Sequence, residues 1–166
     1  MREILFRGQT RKKGEKVWMD GTPVDGNWVF GGVNQGKGDF SIIYQTEPEV
    51  YKYPVYTDTL GQYTGLTDKN GKKIFEGDIV RYSYDYPNSH FLKAEGKTNE
   101  DIIYRTGDVF WSEWRGTWAV GTRVGKHAMN QDLYVYIRNP NRVEIIGNIH
   151  DNPELMGGNE NEQNDT

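Results

Sequence analysis

The reading of the fold turns on Leu66-Thr67-Asp68-Lys69-Asn70-Gly71-Lys72-Lys73-Ile74-Phe75-Glu76-Gly77-Asp78-Ile79-Val80-Arg81-Tyr82-Ser83-Tyr84. Asn70-Gly71 supplies the positive φ angles of a tight turn between Leu66 and the Ile74-Phe75 pair. Glu76-Gly77-Asp78 breaks the chain again: Gly77 takes the strained dihedral and the Asp78 carboxylate accepts from turn amides. Beyond it Val80, Tyr82 and Tyr84 alternate with Ile79, Arg81 and Ser83, the period of two of a half-buried strand. Two turns and a strand within 19 residues leave no room for a helix.

The same pattern extends outward in both directions. Twenty glycines cut the chain into short alternating or β-branched runs, and the helical period is almost absent. Ile4 and Phe6 share one face of an opening strand. Lys16 to Met19 and Trp28 to Phe30 flank the turn-rich Asp20 to Gly26 as a hairpin, with a flexible turn at Gly31 to Gly38 and an apolar run at Phe40 to Tyr44. Pro48 and Pro54 bracket Val50 to Tyr53 and restrict a strand there to an edge or bulge. Tyr86 to Glu100 reads as a mobile loop. Ile102 to Tyr104, Val109 to Trp114, Thr117 to Val120, Leu133 to Arg138 and Arg142 to Ile149 read as strands, the middle pair joined around Arg115-Gly116 and the last pair around Asn139-Pro140-Asn141. The expectation is an all-β fold of short antiparallel strands, its C-terminal half a small barrel-like sheet. Asn152-Pro153 starts one helical turn near the end.

At 166 residues the chain fits one domain over 1–156, with two lobes, 1–60 and 61–156, as the alternative organisation. The polar, acidic residues 157–166 form a flexible tail. The hydrophobic fraction is only 35%, but five Trp, eleven Tyr and six Phe offer large burial areas per side chain. Without cysteine there is no disulfide, thiolate metal site or cysteine nucleophile. No stretch approaches a membrane span and the start is charged, so a cytoplasmic product is expected. The net charge of −4 is concentrated in the tail, and global charge neither recommends nor excludes a polyanion.

Catalytic patterns are not legible. Gly31-Gly32-Val33-Asn34-Gln35-Gly36-Lys37-Gly38 matches a phosphate loop through its lysine, but Gly38 stands where the magnesium-binding hydroxyl belongs and a β run follows in place of a helix. His90, His127 and His150 stand singly. Glu76 and Asp78 suit a turn better than acid-base work. No Ser41, Ser83, Ser89 or Ser112 sits in a nucleophile elbow. No catalytic residue, metal site or cofactor is assigned.

The suggestive cluster is aromatic: Phe110, Trp111, Trp114 and Trp118, with Arg105, Arg115 and Arg123, and with Tyr82, Tyr84, Tyr134 and Tyr136. Buried, these rings are the core, and Trp114 and Trp118 would pair across a hairpin. Exposed, they are a protein-binding hot spot or a platform that stacks single-stranded nucleic acid, with Arg81 and Arg138 adding charge.

Three blocks carry a resemblance: Arg2 to Gly8; Gly61-Gln62-Tyr63-Thr64-Gly65 running through Asn70-Gly71 to Val80; and Glu144 to Leu155. In order and spacing the chain resembles the YopX family of phage and prophage proteins. The resemblance implies a phage or prophage origin, a largely β fold and a cytoplasmic product, and transfers no catalytic residue. Gly61 to Gly65 has no clear strand period, which makes Gln62, Tyr63 and Thr64 candidate interaction residues beside Trp111, Trp114, Arg115 and Trp118. The function expected is a non-catalytic binding or adaptor protein working through protein contacts, with a homo-oligomer or a bacterial or phage protein as partner. The competing expectation is a single-stranded nucleic-acid-binding module.

Overall fold

The computed structural model describes residues 3–10, 28–45, 50–84, 90–121, 130–138 and 140–156. The expected strand at Lys16 to Met19, the turn at Asp20 to Gly26, Pro48, Arg123, His127 and the tail lie outside these residues. The chain divides into two compact units, Met1–Gly65 and Leu66–Thr166.

In the first unit β1 (Phe6–Gln9), β2 (Trp28–Asn34), β3 (Phe40–Gln45), β4 (Tyr51–Tyr56) and β5 (Gly61–Thr67, whose last residues enter the second unit) form an antiparallel sheet in the order β4-β3-β2-β1-β5. Pro54 therefore sits on an edge strand, where its missing N–H costs no ladder bond. The sheet curls: a Cβ on Gly8 would meet Val55 Cγ2 at 2.8 Å, and the Gln9 amide donates to Thr59 Oγ1 at 2.8 Å. Ile43 and Val55 are fully buried inside that curl. The Gly31 to Gly38 segment is only partly a turn, because β2 runs through Asn34. A Cβ on Gly31 would lie 2.0 Å from Tyr44 O, so close strand approach explains this glycine without a phosphate.

The second unit is built on the opening stretch. Gly71 (φ +80°) and Gly77 (φ +81°) make its two turns on either side of β6 (Lys73–Phe75), as expected. Asp68, buried, organises the first: Oδ1 accepts from the amides of Asn70 and Lys72 at 2.8 and 2.9 Å. Asp78 Oδ2 accepts from the Phe75 amide at 2.8 Å. Next come β7 (Asp78–Ser83), β8 (Tyr104–Ser112), β9 (Thr117–Gly121), β10 (Asn130–Asp132) and β11 (Val143–Asn148), in the order β10-β9-β8-β7-β11. That order is linear, and among the described residues no pairing joins β10 to β11, so an open sheet stands in place of the expected barrel. The reason lies at the β11 edge. Its outer side is already occupied by the first turn, with the Lys69 amide donating to Val143 O at 2.8 Å and the Ile145 amide donating to Asp68 Oδ2 at 3.2 Å. Asp68 thus shields an edge that would otherwise recruit another strand.

Three segments differ from expectation. Leu133 to Arg138 contains a helical turn, α2 (Tyr134–Ile137), in place of a strand; the Tyr134 amide is held by Asp132 Oδ1 at 2.9 Å and the turn drives Leu133 and Tyr136 into the core. Within Tyr86 to Glu100 a short helix, α1 (His90–Ala94), forms, and Thr98 with Asp101 closes a capping box over 99–101; a five-residue helix is too short to show a hydrophobic period. A single strand, β8 (Tyr104–Ser112), stands where two were expected at Ile102 to Tyr104 and Val109 to Trp114; it takes in the residues between them and ends two residues before Trp114. The helical turn near the end is present over Pro153–Met156, although Asn152 Oδ1 accepts from the Asn148 amide at 3.4 Å, outside that turn. Val80, Tyr82, Val109, Trp118, Val120, Leu133, Tyr136 and Val143 make the core of this unit.

Candidate functional site

Strands β8 and β9 pair Trp111 with Trp118 and Ser112 with Thr117. The connection is the four residues 113–116, closed by the Gly116 amide on Ser112 O at 2.8 Å with Gly116 at φ +63°. A two-residue turn at Arg115-Gly116 would have set Trp114 opposite Thr117, next to Trp118; the four-residue connection shifts the register by two residues. The tryptophan pair across the hairpin is therefore Trp111–Trp118, edge to face with ring centres 5.3 Å apart, and Trp114 stands in the turn.

This register divides the cluster between inside and outside. Phe110, Trp118, Tyr82 and Tyr136 are buried. Trp111 is 46% and Trp114 86% exposed, with Tyr84 and Tyr134 also exposed. The Arg115 guanidinium lies 5.0 Å from the Trp114 ring centre and is tied to Asn130 at 3.3 Å (Nε to Oδ1) and 3.2 Å (Nη2 to O). Cation–π contact and two hydrogen bonds hold arginine and indole side by side at the tip. Buried Trp118 and the β8–β9 ladder supply a rigid base beneath them.

The remaining candidates lie in β5. Tyr63 and Thr64 are buried and Gln62 is half-buried. Gln62 pairs with Phe6, and the Tyr63 amide donates to Leu5 O at 2.8 Å. Gly61 to Gly65 is thus a strand whose alternation is invisible because adjacent residues on both faces are covered. A partner would reach only the Gln62 side chain.

A basic cleft in the second unit was not legible in the sequence. It encloses about 130 Å³ among Lys69, Arg81, Tyr104, Asn141, Arg142 and Glu144. Arg142 is buried and donates to the carbonyls of Ser83 (2.8 Å), Tyr84 (2.7 Å) and Val135 (2.7 Å). Glu144 Oε2 takes both Lys69 Nζ at 2.8 Å and Arg81 Nη2 at 2.6 Å. Those hydrogen bonds, Lys69 before Arg81, lower the Glu144 pKa below the ordinary carboxylate range. Arg81 and Arg105 also cover the rings of Tyr104 (5.2 Å) and Tyr84 (4.7 Å). Burial first, then the Tyr84 hydroxyl, raise the Tyr136 pKa and keep that phenol protonated. Lys69 and Glu144 are 75 positions apart, and no local pattern joins them.

His90 is exposed and His150 half-buried. Among the described residues there is no group of three or more His, Cys, Asp or Glu able to hold a metal, and no helix is long and apolar enough to cross a membrane.

The family model described as YopX protein matches residues 15–157. The chain belongs to the YopX family. Among solved structures it is similar to protein EF1440 from Enterococcus faecalis, at 19% identity and a TM-score of 0.46, over 94% of this chain and 99% of that one. No curated protein matches the sequence.

Proposed function

We propose that this YopX-family protein is a non-catalytic binding protein that acts through protein contacts made at the β8–β9 tip. The observation that carries the reading is Trp114, 86% exposed and stacked with Arg115 beside half-exposed Trp111. Leaving an indole in water forgoes hydrophobic stabilisation, and Trp and Arg are the residues that dominate protein interfaces. The rigid hairpin lowers the ordering cost of docking. A second copy of the chain or a bacterial or phage protein is the partner in this reading.

The test is light scattering coupled to size-exclusion chromatography over a concentration series, with pull-down from phage-infected lysate. The wild type forms a discrete oligomer or retains a partner, and Trp114→Ala loses it. A monodisperse monomer with no partner, or an assembly indifferent to Trp114→Ala, overturns the proposal. The Arg81–Tyr104 and Arg105–Tyr84 pairs favour single-stranded nucleic-acid binding as a second reading. It requires a salt-sensitive gain in mass when a mixed oligonucleotide is added at low salt.

A further inference from the structure

The cleft at β7 and β11 has the composition of an anion site. Lys69, Arg81 and Arg142 set three positive charges against the single carboxylate of Glu144. Arg142 directs donors at three backbone carbonyls, so it contributes field at the floor of the cleft. Arg81, stacked on Tyr104, and Lys69 are the cations whose polar atoms converge on one point. That point is occupied by one oxygen, Glu144 Oε2, at 2.6 Å from Arg81 and 2.8 Å from Lys69. The volume of about 130 Å³ is several times the roughly 10–15 Å³ that one water requires, enough for a tetrahedral oxyanion.

We propose that this cleft binds the dianionic phosphate of a small phosphomonoester, and that Glu144 is an intramolecular occupant which the ligand displaces from Lys69 and Arg81. The charge type follows from competition. A tethered carboxylate outcompetes a free one through its high effective concentration. A phosphodiester carries one charge per phosphate, as in a nucleic-acid backbone, and fares no better. A phosphomonoester carries about −1.5 to −2 at pH 7 and three acceptor oxygens, so it can satisfy the ammonium and the guanidinium together with charge to spare. Asn141 at the rim donates one amide hydrogen of Nδ2 to Thr67 O at 2.9 Å, and the second hydrogen of that nitrogen is a further donor.

The experiment is an NMR and calorimetric titration of the full chain at low ionic strength. The probes are inorganic phosphate, a nucleoside 5′-monophosphate, dimethyl phosphate and acetate. Inorganic phosphate and the monophosphate are expected to bind saturably, with shifts confined to Lys69, Arg81, Asn141 and Glu144, while the two monoanions do not bind. Glu144→Gln removes the competing charge and tightens phosphate binding by about tenfold or more; Arg81→Gln and Lys69→Gln each abolish it. All three side chains are partly exposed, and a single cooperative thermal unfolding transition in each variant, lowered by no more than the modest loss of these ion pairs, verifies the fold. Absence of saturable binding by Glu144→Gln, equal affinity in Arg81→Gln, or acetate binding as tightly as phosphate overturns the proposal. Binding of inorganic phosphate with exclusion of the monophosphate overturns the organic ligand.

Discussion

Asp68 shows how much one side chain can organise. Its two oxygens hold the amides of Asn70 and Lys72 within the turn and that of Ile145 on β11. Asp68→Ala leaves three amides without this acceptor, and a loss of about 2–4 kcal/mol is expected in urea denaturation. The turn itself was legible from Asn70-Gly71; the reach to Ile145, 77 positions away, was not, because a carboxylate's distant partner leaves no local pattern. Glu144 makes a prediction in pH. Its folded pKa is depressed, so its stabilisation is fully present above the unfolded carboxylate value of about 4.3 and is lost as pH falls through the lower folded value. The effect is modest because the group is partly exposed. Glu144→Gln flattens the acid limb of stability against pH, measured by denaturation below about pH 5; an unchanged limb would show that the ion pairs contribute nothing.

At the scale of elements, register decides what the sequence pattern leaves open. A period-two run predicted β7, and the residues flanking Arg115-Gly116 predicted a hairpin containing β9, but the length of the 113–116 turn determined which tryptophan faces which. Strand β8 can lie against β9 only because Gly107 has no side chain: a Cβ there would stand 2.8 Å from Gly121 Cα. Gly107→Ala is expected to cost about 1–3 kcal/mol by forcing the strands apart. Gly32→Ala, with nothing within 4 Å, is expected to stay within about 0.5 kcal/mol. Comparable losses for the two would refute the close-approach argument. Arg142 joins β7 to the α2 turn through the carbonyls of Ser83, Tyr84 and Val135, and Arg142→Met, which leaves these acceptors without the guanidinium, is expected to cost about 2–4 kcal/mol in the same assay.

For the molecule as a whole, stability and binding separate at the β8–β9 tip. Trp114→Ala removes an exposed ring and is expected to leave unfolding within about 0.5 kcal/mol of wild type, while costing about 2 kcal/mol or more in partner affinity if the tip is a hot spot. Chromatography and denaturation of the same variant read the two effects independently. The sequence by itself determined the β class, the turns at Gly71 and Gly77, the restriction of the strand beside Pro54 to an edge or a bulge, and the helical turn at Pro153, because glycine, proline, Asn-Gly and period two act over a few residues; that β4 runs through Pro54 and lies at the edge was decided by the sheet. Tertiary structure alone decided that the second sheet stays open, that Tyr134–Ile137 coils into a helical turn, that Trp118 is core while Trp114 is surface, and that Lys69, Arg81, Arg142 and Glu144 share a cleft. These depend on pairings between distant segments, in which burial and register override local propensity, so the same residue types serve as core or as binding surface according to the strand they face.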